Sequence, residues 1–532
     1  MRKVLRPDGR AESGVFVLLT LVALLPLVLL RHMVSIDGPS HLQGAYILAH
    51  HTVPLYRAYY RIDLFPTPNV ATELVLAGLL RVLSPSTAEK VLVGGYILLF
   101  CAGLRYAVRS VDPRARWLSY LAFPLVYQHL LYYGFYNFSF GLALSLFAVG
   151  SAVRYRERWT PRRGLVLGAF LVLTYFAHLL PLLMALLFTG VLVAYDVLRP
   201  AMPRLAMGTR LRAAVVPALA VVPVIALTLA FVLRPSPYPL RPVWSPVWTK
   251  LAGLLSLGIP LHTFSSHDYS GTIPLAVLLG VLIVLGFRAR AGAGGGSAAL
   301  GVAALLAVAV YFTSPSLLNA GYGFLNNRLS YFAVVFPLLW LASRRVPRPA
   351  QVATVAVAVL VAVGLGVVRW PELRRYDRQI SEVEEAGRTL PLHGTFTVVR
   401  LSRKQTPGSS WGPFTDPLKH VGSLVATDIS GIDLVHYEAQ LPYFPTQFRT
   451  PYLFQVRTGR NFVLSEQVPP RATLLESRGG SADVRYVLLI GRTPTTGTAA
   501  RRANGVLRRL AAGYHLVSTS PTGLVRIYAR NP

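Results

Sequence analysis

Apolar runs long enough to cross a lipid bilayer recur through the first 368 residues of this 532-residue chain, and nothing else limits its fold so strongly. A helix rises about 1.5 Å per residue, so spanning a hydrocarbon core of about 30 Å takes roughly 20 apolar residues, with about 17 as a lower limit. Runs of that kind lie near 14–31, 89–108, 116–133, 137–153, 164–178, 179–196, 212–233, 272–287, 297–312, 325–342 and 350–368. They predict a polytopic α-helical membrane protein with about eleven transmembrane helices. Composition agrees, with 14% charged residues and a mean hydropathy of +0.48, whereas soluble domains carry about a quarter charged residues. Residues 71–83, ATELVLAGLLRVL, are too short to cross and contain Glu73 and Arg81. A helix lying along the interface is expected there.

The net charge of +31 falls in short clusters between the apolar runs. It is therefore a topology signal and gives no support to nucleic-acid binding. One set of connections is basic: the N-terminal tail with Arg2, Lys3, Arg6 and Arg10; Arg105 to Arg116; RYRERWTPRR at 154–163; Arg199 to Arg212; Arg288 and Arg290; and SRRVPR at 343–348. The positive-inside rule assigns these to the cytoplasm. The loop 32–88, the YYGFYNF turn at 132–138, the turn at His178, the loop 234–271 and FTSPSLLNAGYGF at 312–324 then face outward, and they hold most of the unusual polar groups. The first span lacks a small-residue cleavage site and reads as a retained signal anchor in the cytoplasmic membrane. Cys101 is the single cysteine and lies within an apolar run, so neither an intramolecular disulfide nor a cysteine metal site is available.

An odd number of spans leaves residues 369–532 outside, beyond a transmembrane domain of residues 1–368. This tail opens with a charged helical pattern, WPELRRYDRQISEVEEAGRTL, then alternates strand-like runs (GTFTVVRL, VRYVLLI, GLVRIYA) with the helical AARRANGVLRRLAAGY. A small soluble α/β domain is expected. AGAGGGSAA at 291–299 reads as a flexible cytoplasmic linker. No P-loop, dinucleotide fingerprint or nucleophile elbow is present, which leaves phosphotransfer and hydride chemistry unsupported.

Polar groups set at the outer ends of spans are the candidates for chemistry. SIDGPSHL at 35–42 places Asp37 and His41 directly after the first span. Asp37 is either a solvated helix-end carboxylate or a functional one. FPTPN at 65–69, YYGFYNFSFGLALSLFAVG at 132–150 and FAHLLP at 176–181 follow. On these residues, residues 1–370 resemble the GT-C superfamily of integral-membrane glycosyltransferases, in particular the bacterial mannosyltransferase-like and aminoarabinose-transferase-like branches that use polyprenyl-phosphate sugars. The resemblance implies an acidic catalytic base near the start of the first outer loop, the position of Asp37. It also implies inversion at the sugar, and a soluble domain after the last span. A DxD-like pair is absent, because glycine and proline follow Asp37. No metal-ligand set is therefore assigned, and only a weakly bound divalent cation is left open.

Such chemistry needs few groups. A prenyl phosphate is already a good leaving group, so the acceptor hydroxyl needs a base and the departing phosphate needs positive charge. Asp37 is the first candidate base, Asp63 the second and Glu73 the third. His41 can orient the base or contact phosphate. Arg328, Arg241 and Lys250 are the outer-face cations that can bind the donor phosphate, Arg328 being costly so near hydrocarbon unless paired or snorkelling. His178, Tyr133, Tyr136 and Asn137 are candidates for the cavity wall, with an interfacial aromatic belt as the alternative for the tyrosines. His262, His267 and Asp268 form either a weak metal site or ordinary loop polarity. The aromatic stretch HYEAQLPYFPTQFRTPYLF at 436–454 either closes over the site and helps bind acceptor or packs structurally. Expected partners are a polyprenyl-phosphate-linked sugar, the bilayer, and an acceptor glycan, lipid or protein. A transporter or flippase would place its ionisable groups near the midplane of paired halves, and a scaffold displaying 369–532 would not need Asp37.

Overall fold

The computed structural model describes residues 9–532 apart from 157, 199–206, 235–240, 265, 292–295, 319–322, 403–415, 459–467 and 476–483. Arg2, Lys3, Arg6, Arg199, Arg204 and the centre of the glycine-rich 291–299 stretch lie outside the described residues. Among those described, seven helices are long and apolar enough to cross a membrane: Arg10–Leu29, Pro85–Val111, Tyr136–Tyr155, Leu179–Leu198, Ala214–Val232, Ser266–Arg288 and the apolar portion of Arg348–Gly387. The protein is thus a helical membrane protein. Shorter or less apolar helices, Pro161–Ala177, Ser297–Thr313 and Leu325–Ala342, occupy three further expected positions.

The run 116–133 does not form the continuous helix expected of it. It is divided into a 3-10 helix Pro113–Leu121 and two five-residue helices, Ala122–Val126 and His129–Tyr133, the last ended by Gly134 in the left-handed region at φ +97°. Apolarity predicted burial correctly, but the break depends on partners far away in sequence. Tyr96 donates to the freed Val126 carbonyl at 3.0 Å and Arg369 to that of Tyr127 at 2.9 Å. An irregular backbone at membrane depth persists only where protein groups satisfy it in this way.

Beyond the bundle, β2 (Thr395–Arg400), β3 (Ile432–Asp433), β5 (Tyr486–Ile490), β6 (Tyr514–Thr519) and β7 (Val525–Arg530) form a mixed sheet of order β3-β2-β5-β7-β6. β2 is parallel to both β3 and β5, while β7 runs antiparallel to β5 and β6. The helix Gly497–Gly513 buries Ala503, Val506 and Leu510, the one-face spacing its sequence shows. A second, two-stranded sheet joins distant segments of the chain. β1 (Tyr60–Ile62), from the first loop, pairs antiparallel with β4 (Thr446–Phe448), from the tail, and Arg61 Nη2 donates to Gln447 Oε1 at 2.6 Å. Ile47, Tyr56 and Tyr60 of that loop share one apolar cluster with Val399, Leu401, Ile432 and Leu434.

The Arg348–Gly387 helix continues for 40 residues from the apolar run into the charged one. Its charged end grips the end of the first span. His32, 3% exposed, places Nδ1 3.1 Å from Asp377 Oδ1 and Nε2 3.2 Å from Glu384 Oε2, and Arg31 Nη2 lies 2.7 Å from the same Glu384 oxygen. Burial alone would lower the His32 pKa, but the two carboxylates outweigh it and hold the imidazole above its usual range. Such a group contributes stability that is fully present below the unfolded value of about 6.5 and is lost as pH rises through the folded one. The apparent melting temperature of the detergent-solubilised protein is therefore expected to fall as pH rises above about 6.5, and His32→Phe should flatten that fall. An equally steep fall in the variant would show that other groups cause it.

Candidate functional site

Asp37 is held by backbone before its side chain is considered. Its amide donates to Tyr133 O at 2.9 Å and the Ile36 amide to Tyr132 O at 3.1 Å, so SIDG lies along the YYGFYN turn. Two glycines permit this contact. A Cβ on Gly134 would fall 2.7 Å from the amide nitrogens of both Asp37 and Gly38, and one on Gly38 would overlap Ser35 Oγ, Glu89 Oε1 and the Tyr136 hydroxyl. Asp37 then serves as N-cap residue of the Gly38–Ala49 helix, yet its carboxylate makes no capping bond to that helix.

One turn into that helix, His41 Nδ1 lies 2.7 Å from Glu73 Oε1 and 2.8 Å from Glu438 Oε1. All three side chains are buried. The Ala71–Leu79 helix is therefore not simply an interfacial one, since Glu73, expected at its polar face, points into protein at 1% exposure. Asn137 holds it there, donating Nδ2 to Glu73 Oε2 at 2.8 Å while its Oδ1 accepts the Thr72 amide at 3.0 Å. Burial, with Glu73 and Asp37 nearby, raises the Glu438 carboxyl to about 7 against the pull of His41. His41 is pushed down by burial, yet Glu438 and Glu73 hold it well above its usual range. The three donor atoms lie within 4.8 Å of one another. One imidazole nitrogen and two carboxylate oxygens can hold a divalent cation once His41 gives up its proton.

Asp37 and His41 open onto a cavity of about 530 Å³, a size ordinary for a small-molecule site. Arg328, Lys419 and Glu438 share its lining, with the rings of Tyr133, Phe135, Phe138, Tyr437 and Tyr443. Leu179, Leu183 and Phe231, from two of the membrane-length helices, add apolar side chains to its lining. Arg328 stands 4.7 Å above the Phe135 ring and donates Nη1 to the Gly323 carbonyl at 3.0 Å. His178 also lines the cavity, its Nδ1 accepting the Leu180 amide at 3.1 Å, which leaves Nε2 to carry the proton.

Four expected site residues lie elsewhere. Asp63 is ion-paired to Arg234 and accepts the Phe65 amide, away from the cavity lining. Lys250 is 1% exposed and donates to the Phe312 and Ser314 carbonyls at 3.0 and 2.6 Å, so it fixes a loop. Arg241 is exposed, and its amide pairs with Leu318 O. Tyr136 sits beneath the cavity, donating to Glu89 Oε1 at 2.5 Å and lying 3.0 Å from Ser35 Oγ. Asp268, of the HTFSSHDYS loop, accepts from the Thr263 amide at 2.6 Å and pairs with Arg369 at 3.1 Å, which gives that loop a structural use.

The C-terminal segment supplies what the sequence alone does not single out: Lys419, His420, Tyr437 and Glu438. Glu438 and Tyr437 fall within the aromatic 436–454 stretch, so that stretch does reach the cavity. Nothing in PLKHVG marks Lys419 or His420. Compared with protein-family models and with curated proteins, the sequence matches none.

Proposed function

We propose that this protein is a membrane glycosyltransferase of the GT-C type, moving a sugar from a polyprenyl phosphate to an acceptor hydroxyl at the outer face of the cytoplasmic membrane. One observation carries the reading: a carboxylate that makes no capping bond, two cations and apolar side chains from membrane-length helices line the same cavity. The prenyl chain lies against Leu179, Leu183 and Phe231, and the phosphate meets Arg328 and Lys419. Asp37 accepts the acceptor's proton as the hydroxyl oxygen bonds to the anomeric carbon. The bond from that carbon to the phosphate oxygen breaks, and the prenyl phosphate departs with its electron pair, stabilised by the two cations. Arginine supplies forked donors and lysine a point charge, a pair suited to one phosphate.

Vesicles carrying the protein, given undecaprenyl phosphate loaded with tritiated mannose, glucose or arabinose, should pass label from at least one donor to a membrane or soluble acceptor. Lys419→Ala should raise the KM for that donor about tenfold, equivalent to about 1.4 kcal/mol, with a smaller effect on kcat. No transfer from any of the three donors would count against the reading. An unchanged KM would remove Lys419 from it.

The His41, Glu73 and Glu438 donors also suit a divalent cation, which when bound would add positive charge beside Asp37. Exhaustive chelation should then lower turnover, and readdition of zinc or manganese should restore it in the wild type but not in Glu438→Gln. Elemental analysis of the purified protein gives an independent reading. Turnover indifferent to chelation, with no bound metal, would leave the cluster as a proton-sharing triad.

A further inference from the structure

We propose that His420, supplied by the C-terminal segment, is the positioning residue of Asp37, an inference that rests on the transferase reading. Its Nε2 faces Asp37 Oδ1 across 3.4 Å, with side-chain exposures of 8% and 7%. His420 is not among the residues lining the cavity, whereas Asp37 is. It therefore acts through the aspartate and does not touch substrate.

Both partners are rigidly mounted. The imidazole stacks on Tyr437, with ring centroids 5.0 Å apart and planes 27° from parallel, and Lys419 Nζ lies 5.7 Å from the centroid of that tyrosine. His420 lies two residues before the Gly422–Asp428 helix, which packs against Gly38–Ala49, the helix that Asp37 begins. His436 Nε2, 3.2 Å from the Ser40 carbonyl, and Thr446, donating to the Gly44 carbonyl at 2.9 Å, fix the same two segments together.

The type of residue suits the task. Burial, reinforced by Lys419, Arg400, His436 and His41, holds the His420 imidazole well below its usual range, so it is neutral. A lysine or arginine here would pair with Asp37 and make it a weaker base. A neutral N–H directs the carboxylate without that cost. The arrangement makes the base a product of both halves of the chain, since neither holds an oriented Asp37 alone.

The test compares wild type, His420→Phe and His420→Gln in vesicles given the labelled prenyl phosphate donors. Phenylalanine keeps the ring stacked on Tyr437 but has no donor, and glutamine restores an N–H. His420→Phe should lower kcat about 30- to 100-fold, the loss associated with a misplaced reacting group. Its KM should stay within about twofold of wild type, and His420→Gln should recover most of the rate. A His420→Phe enzyme with normal kcat overturns the inference while the transferase reading stands. So does an effect confined to KM, or a folded glutamine variant no better than phenylalanine. Wild-type vesicles that transfer nothing overturn the transferase reading, and this inference with it.

Discussion

Asp37→Asn is expected to reduce sugar transfer at least about 10³-fold and to leave the fold intact. The amide matches the carboxylate in shape, so a residue only 5% exposed keeps its packing, but it cannot accept the hydroxyl proton. General-base catalysis is worth about 10² to 10⁴ in rate. The upper end of that range applies because no neighbour can replace the lost base. Glu73 and Glu438 are both engaged with His41 Nδ1, and Glu73 also accepts from Asn137. The measurement is single-turnover transfer at saturating donor, with retention time on size exclusion as the control for folding. A variant that turns over at more than about a tenth of the wild-type rate would mean that Asp37 is not the base.

Gly134→Ala is expected to have the second largest effect, and by a different route. A left-handed conformation costs a non-glycine residue about 1–2 kcal/mol. The new methyl would also lie 2.7 Å from two backbone nitrogens, which cannot rotate away as a side chain can. Overpacking of that kind costs about 1–3 kcal/mol. Relief comes from moving the Asp37–Gly38 peptide, so the strain is applied at the proposed base. A lower melting temperature, together with about a 100-fold lower kcat, should follow. Gly190→Ala, whose added Cβ meets nothing within 4 Å, is the control. A Gly134→Ala protein with wild-type melting and turnover would show that the turn has room to adapt.

The membrane character, the α/β content of the tail and the position of Asp37 were legible in the sequence because each is a local property. Apolar run length decides the first, period and turn chemistry the second, and distance from a span end the third. His41, Arg328, His178, Tyr133 and Asn137, also candidates from the sequence, line the cavity with Asp37, whereas others were misplaced or missed, for physical reasons that differ. Glu73 is the third candidate base by sequence but on a helix that reads as interfacial, and what holds it inward is Asn137, 64 positions away. Lys250 and Arg241 looked like phosphate ligands because they are cations of an outward-facing loop, but carbonyls at 312 and 314 already occupy the lysine. Lys419 and Glu438 reach the cavity, and His420 reaches Asp37, only because the tail folds back on the first loop, and no local pattern encodes that return. The break in 116–133 was hidden in the same way, since its carbonyls are satisfied by Tyr96 and Arg369.

The pairing of β1 with β4 joins residues 386 positions apart in the chain. At about 5–20 residues per second of synthesis, the first strand waits roughly 20–80 s for its mate. Throughout that interval Ile47, Tyr56 and Tyr60 have no tail residues to cover them, and an unpaired strand edge stays open to other chains. Cells making this protein must shelter the emerging loop until the tail strand has been made, and the paired structure comes into being late and all at once.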